Sequence, residues 1–194
     1  MLRIVAGSAR GLTLLQPTGR GTRPTSGRLR EALFSMLEAA DVDFSEVLDL
    51  YAGTGALGIE ALSRGEGRST FVESDAQTCA LIRENLDRCK LGERGSVVTA
   101  QVGRWRPPAG QAYTLVVADP PYDDAAAWQA VADSVRGSLA HDAVVAIEHS
   151  ARLPAPETFE GIPRWRDRRH GDGAVAIFRR TAIDEPAAEG GSQA

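Results

Sequence analysis

The chain is expected to fold as an α/β domain, with a mostly parallel, doubly wound sheet carrying helices on both faces. Two observations predict this. Short apolar runs at 46–51, 69–73, 96–101, 113–118 and 143–148 alternate with helical patterns at 55–64, 76–90 and 125–139. Strands covered on both faces read as near-continuous apolar runs, and their alternation with helices is the mark of βαβ winding. A glycine-rich segment, G-T-G-A-L-G at 53–58, also falls between the first such strand and the first such helix. That is where an open α/β sheet turns tightly.

The elements follow in order. Residues 2–6 (LRIVA) and 11–15 (GLTLL) are predicted to pair as a short β-hairpin, followed by a Pro/Gly-rich loop over 16–25. A helix capped by Thr25 or Ser26 should run to about 39, with Leu29, Leu33, Phe34 and Leu37 at helical spacing. The alternating core comes next. After 150 comes a Pro-rich loop over 153–163, and then W-R-D-R-R-H-G-D-G-A-V-A-I-F-R-R. This last stretch predicts an antiparallel hairpin at a sheet edge, turning on Gly-Asp-Gly. Residues 183–194 have the composition of a disordered tail. At 194 residues and 43% hydrophobic, the chain suits one principal domain over 41–182, with an N-terminal hairpin-and-helix extension over 1–40.

Composition narrows the classes. There is no continuous apolar span and no basic-then-apolar leader, so a cytoplasmic protein without a membrane partner is expected. Cys79 and Cys89, ten apart in one helix, match neither a redox pair nor a zinc cluster, and read as ordinary semi-buried thiols. His141, His149 and His170 show no metal spacing, and His149 reads as structural. The formal charge of −4 is unevenly spread. The first thirty residues hold Arg3, Arg10, Arg20, Arg23, Arg28 and Arg30 and no acid, so they carry +6 while the rest carries −10. Arginine suits bidentate phosphate contacts, and an acid-free arginine run points to an RNA partner. A second cluster, Arg164, Arg166, Arg168 and Arg169, is diluted by Asp167 and Asp172; His170-Gly171-Asp172 is read as a turn beside the cleft.

Gly53, Gly55 and Gly58 carry the GxGxxG spacing, and Glu73 ends the next strand twenty residues after Gly53. An acid there accepts hydrogen bonds from ribose hydroxyls. Asp49 stands four residues before the first glycine. A carboxylate in that place repels a pyrophosphate but suits the ammonium of a methionine moiety, which favours S-adenosylmethionine over a dinucleotide. From about 46 to 148 the residues resemble the class I S-adenosylmethionine-dependent methyltransferases, whose fold is Rossmann-like. The resemblance implies cofactor contacts from Asp49, Tyr51, Gly53, Thr54, Gly55, Glu73, Ser74, Gln101 and Val102, with Gln101 standing where Asp or Asn is usual.

Asp119-Pro120-Pro121-Tyr122 follows the fourth apolar strand. Pro120 fixes φ, keeps its carbonyl and holds Asp119 extended. The Asp119 carboxylate and Pro120 carbonyl then form a rigid acceptor pair for a planar exocyclic amine, with Tyr122 placed to stack on its ring. This D-P-P-Y resembles the catalytic motif of amino-group methyltransferases, which act on adenine N6, guanine N2, cytosine N4 or a glutamine amide.

The N-terminal stretch R-I-V-A-G-S-A-R-G and the later R-P-T-S-G-R-L-R-E-A-L-F resemble the bacterial 16S ribosomal RNA guanine-N2 methyltransferase D family, over about residues 2–180 in all. Gly27 replaces the Asp usual there. The resemblance implies methyl transfer to the N2 amine of a guanosine in 16S rRNA, within the 30S subunit or an assembly intermediate. In the family's pattern Arg23 to Thr25 lie near the active-site cleft, so Thr25 joins Arg10, Arg20, Arg23, Arg28 and Arg30 of the acid-free run as expected RNA contacts; no metal is expected, and a monomer is. Read from the residues alone, an adenine-N6 methyltransferase, an NAD(P)-dependent oxidoreductase and a non-catalytic RNA-binding assembly factor remain open.

Overall fold

The computed structural model describes residues 2–17, 27–122, 124 and 126–180. Arg20, Arg23, Thr25, the cap expected at Thr25 or Ser26, and the tail over 183–194 lie outside the described residues. The chain runs α1 (Gly27–Ala39), β1 (Glu46–Leu50), α2 (Ala56–Arg64), β2 (Arg68–Glu73), α3 (Ala76–Arg88), β3 (Gly95–Thr99), β4 (Tyr113–Ala118), α4 (Ala127–Val135), β5 (Leu139–Ser150), β6 (Thr158–Phe159), β7 (Ile162–His170) and β8 (Gly173–Phe178). The sheet order is β3-β2-β1-β4-β5-β8-β7-β6. Strands β1 to β5 are parallel, and β8 runs antiparallel between β5 and β7.

The apolar alternation places the core on both sides of this sheet. Leu48, Leu50, Val116, Val145 and Ile147 pack with Val131 and Val135 of α4. Val47, Leu115, Val117 and Ala146 pack on the other face, with Leu33, Phe34 and Leu37 of α1 and Leu57 and Ala61 of α2. Phe71 of β2 meets Ile59 of α2 and Ile82 of α3. The helical cover is therefore lopsided: the β3–β4 connection, 100–112, contains no helix, and α4 alone backs the second face among the described residues.

The N-terminal hairpin pairs as expected: beside the Arg3–Thr13 bridge, the Ile4, Gly11 and Leu14 amides donate to the Leu12, Ile4 and Leu2 carbonyls at 3.0, 2.9 and 2.9 Å. Around its turn the backbone is held by α2 instead: Val5 and Ala6 donate to the two carboxylate oxygens of Glu60 at 2.9 and 3.1 Å, and Ser8 donates to the Ser63 carbonyl at 2.7 Å. Side chain and carbonyl of α2 thus satisfy amides that the short hairpin leaves unpaired. Leu2, Ile4, Ala9 and Leu14 consequently join the core with α2 and α3. Gly7 (φ 79°) permits the close approach, since a β-carbon there would fall 1.7 Å from the Ser63 carbonyl oxygen.

Three expectations change further along the chain. The fourth helix ends at Val135 rather than 139, because Gly137 (φ 75°) turns the chain in the left-handed region. Residues 153–163 are only partly loop, containing β6 and the start of β7. The C-terminal hairpin forms as expected around its turn, but its second strand is interior, with all six residues of β8 buried.

Cys79 and Cys89 are both buried free thiols. No described helix is long and apolar enough to cross a membrane.

Candidate active site

Sheet order reverses at β1, which lies between β2 and β4, and the carboxyl ends of the strands at such a point are where an open α/β sheet forms its ligand crevice. The glycine-rich loop leaves β1 on one side of it, and Asp119 leaves β4 on the other. The Asp119 amide still reaches the Leu50 carbonyl at 3.4 Å, so the two segments diverge from a common point.

The loop is folded by three left-handed residues, Tyr51 (φ 58°), Gly53 (φ 54°) and Gly55 (φ 76°). Its glycines serve different ends. Around Gly53 a β-carbon would meet only the Tyr51 carbonyl oxygen, at 3.8 Å, so the backbone stays open to a ligand. At Gly58 it would fall 2.3 Å from the Phe71 ring, so this glycine sets how closely α2 lies on β2. Thr54 is half-buried in the same loop, and its carbonyl accepts from Asn85 Nδ2 at 3.0 Å.

The first-turn amide of Gly58 is already taken: it donates to Asp49 Oδ2 at 2.8 Å. Asp49 is 1% exposed, and so braces the loop from beneath. Burial raises its pKa well above the usual carboxylate range against the Gly58 bond, and repulsion from Asp119 and Glu73 adds to the rise. Glu73 accepts from the Gly53 amide at 3.1 Å with one oxygen, and from the Asp75 amide and Ser74 hydroxyl at 2.9 and 3.2 Å with the other. Asp75 in turn caps α3 through the Thr78 amide.

Glu73 and Asp119, at the ends of β2 and β4, thus flank one region, with Asp49 buried beneath the glycine loop between them. The region's chemistry favours a cation and sugar hydroxyls and opposes a pyrophosphate. The donor set accordingly fits an ammonium- and sulfonium-bearing nucleoside.

The expected adenine contacts split. Gln101 is exposed, its carbonyl accepting from the Arg104 and Trp105 amides, whereas Val102 is buried in the α4 core. Across the crevice Asp119 is half-buried, Pro120 buried and Pro121 exposed. Tyr122 is 36% exposed and donates its hydroxyl to Glu148 Oε1 at 2.5 Å. A β-carbon at Gly173 would fall 2.3 Å from that hydroxyl, so a glycine opening β8 makes room for the tyrosine. The Ala118–Ile147 register sets Glu148 beside Asp119 on the neighbouring strand.

Glu148 and Asn85 were not among the candidates. Glu148 carries the same signal as Glu73, an acid closing an apolar strand, and was findable by it. Asn85 is fully buried; its Oδ1 accepts from the Leu15 amide at 2.7 Å and its Nδ2 donates to the Leu15 and Thr54 carbonyls. It thereby ties the N-terminal segment to the glycine loop. Its only trace in the sequence is a polar residue on the apolar face of α3.

Of the arginines expected on RNA, Arg10 and Arg28 are exposed. Arg30 is a correction. It is 1% exposed, with Nε 3.3 Å from Glu60 Oε2 and Nη2 donating to the Arg3 carbonyl. Helical periodicity puts it on the same face as Leu33, Phe34 and Leu37, turned into the protein. His149 is held by Asp167, Nε2 to Oδ1 at 3.2 Å, beside Trp128. No group of three or more His, Cys, Asp or Glu among the described residues is placed to hold a metal ion.

A family model described as conserved hypothetical protein 95 matches residues 2–179. Ribosomal RNA small subunit methyltransferase D of Escherichia coli strain K12 is 31% identical, over 97% of this chain and 94% of that protein. A solved hypothetical protein of Thermus thermophilus is 31% identical, with a TM-score of 0.79 over 93% of this chain and all of that one. An RNA methyltransferase of Salinibacter ruber, solved with S-adenosyl-L-homocysteine, shares the fold at 17% identity, with a TM-score of 0.61 over 85% of this chain and 97% of that one. The sheet order, the crevice and these matches agree: the chain belongs to the conserved hypothetical protein 95 family, that of the ribosomal RNA small subunit methyltransferase D proteins.

Proposed function

We propose that the protein transfers a methyl group from S-adenosylmethionine to the exocyclic N2 amine of a guanosine in small-subunit rRNA, acting as a monomer in the cytoplasm on the 30S subunit or an assembly intermediate. The observation that carries the reading is the pairing of one acidic crevice with Asp119-Pro120-Pro121-Tyr122 at the sheet's switch point.

When bound, S-adenosylmethionine supplies an electrophilic methyl on a sulfonium. Glu73 would hold its ribose, with Ser74 orienting the carboxylate; Tyr51, Gly53, Thr54 and Gly55 would line it, Asp49 would favour its charged amino-acid end, and Gln101 and Val102 would flank the adenine. Asp119 and the Pro120 carbonyl accept the two N2 hydrogens, which localises the nitrogen lone pair. The Asp119 carboxylate is then the acceptor for the proton the amine sheds. Tyr122 gives the base a face to stack on, and its bond to Glu148 fixes the ring without blocking that face. Residues 1–40 supply RNA contacts through Arg10 and Arg28, with Arg20, Arg23 and Thr25 in the same role. These contacts position the substrate rather than read its sequence.

Titration calorimetry checks the cofactor class. S-adenosylhomocysteine should bind with heat and NADH should give none; the reverse would mean an oxidoreductase.

A further inference from the structure

The arginine cluster of β7 is sorted by the fold. Arg164 is tied to the Ala155 and Pro156 carbonyls and lies 3.4 Å from Glu157. Arg166 lies over the Trp165 ring at 4.6 Å, and Asp167 is turned to His149. Arg168 and Arg169 are left, both exposed and with no side-chain hydrogen bond or ion pair to any other described residue. Consecutive strand residues stand on opposite faces of a sheet: Arg168 pairs with Val175, which packs with α1, whereas Arg169 shares the face of Asp167. Residues 168–170 line one side of a cavity of about 350 Å³, whose other side is the face of α1 bearing Leu29, Leu33 and Met36. No acid among the described residues lines it.

This groove touches the active site at two points. Its floor includes Val175, which pairs with Glu148, the acceptor of the Tyr122 hydroxyl. His170 pairs with Gly173, over which that hydroxyl sits. We propose that the groove between α1 and the β7–β8 hairpin is the track for the RNA strand beside the target nucleotide, with Arg168 on a phosphate and the apolar face of α1 against ribose or base. This rests on the functional reading above.

The charge and shape of the groove both fit that occupant. The uncommitted Arg168 guanidinium, with His170 beside it, opposite an apolar wall matches a nucleotide, which is anionic on one side and flat and weakly polar on the other. An apolar protein partner would leave that guanidinium desolvated without an anion. The cavity also falls within the size range of nucleotide-sized ligands.

The test is filter binding of the full-length protein to protein-free 16S rRNA and to 30S particles lacking the modification, across roughly 50–200 mM salt. In Arg168→Ala, affinity should fall by about threefold or more. The log–log salt slope should flatten by about 0.7, the value for one single-strand phosphate. Affinity for S-adenosylhomocysteine and the single-turnover rate at saturating RNA should not change. Ala32→Glu, which sets a carboxylate on the exposed α1 wall without touching the core, should weaken RNA binding likewise, with an unchanged melting temperature. Wild-type affinity and slope in both variants would overturn the proposal, as would a defect seen with particles but not with rRNA, which would assign the groove to a ribosomal protein. A wild-type protein that bound neither substrate would instead sink the functional reading, and this inference with it.

Discussion

Asp119→Ala is expected to lower methyl transfer by on the order of a thousandfold or more while leaving S-adenosylhomocysteine binding within a few-fold of the native protein. The separation follows from position. Asp119 leaves β4 on the far side of the crevice from the glycine loop, whose own shape is set by Asp49 on Gly58, Glu73 on Gly53 and Asn85 on Thr54. None of those bonds involves the Asp119 side chain. Removing its carboxylate also lessens the repulsion that helps to raise the Asp49 pKa, so the cofactor side is relieved rather than damaged. What is lost is the acceptor that holds the amine and takes its proton. Asp119→Asn keeps an acceptor oxygen but is neutral, so it should retain more activity than alanine. Equal, near-native turnover in both variants would remove Asp119 from the chemistry.

Glu60→Ala should be the most damaging substitution for stability. Glu60 is fully buried and receives four donors: the Val5 and Ala6 amides, Arg30 Nε at 3.3 Å and Arg64 Nε at 2.9 Å. Burial pulls the Arg30 pKa down, and Glu60 is the main charge opposing that pull. Arg30 Nη1 already has no hydrogen-bond partner among the described residues. Taking Glu60 away would strand a buried cation and release the N-terminal segment. The loss should be about 3–5 kcal/mol, which corresponds to roughly 6–20 °C in melting temperature. Glu157, whose side chain is 92% exposed beside Arg164, provides the contrast. Its alanine variant should stay within about 0.5 kcal/mol of the native protein. Thermal denaturation of the two side by side decides the matter; similar melting temperatures would contradict the buried-hub account.

The parts of the site that were legible in the sequence are those where chemistry coincides with chain order. Asp49, Glu73 and Asp119 each close an apolar strand, and in a parallel sheet all such ends face one edge. Their convergence was therefore implied before any coordinates. Glu148 follows the same rule. The Arg30–Glu60 pair could not be read this way, because its members lie thirty residues apart and only the packing of α1 on α2 joins them. Arg30 instead passed as one more member of an exposed basic run. The docking of the N-terminal hairpin on α2 was hidden for a related reason. Alternating apolar residues at 2–6 mark an extended segment that can pair, but they do not say that its turn amides go to a helix side chain. The β7 cluster was similarly opaque, since a bulge between Arg164 and Arg166 and the pairing with β8 decide which arginines remain uncommitted.

Mass spectrometry of 16S rRNA nucleosides, from cells carrying the gene and from cells in which it is deleted, tests the central claim most directly. One N2-methylguanosine per rRNA should disappear on deletion, return with the native gene, and stay absent with Asp119→Ala. An unchanged N2-methylguanosine content, or loss of N6-methyladenosine in its place, would contradict it.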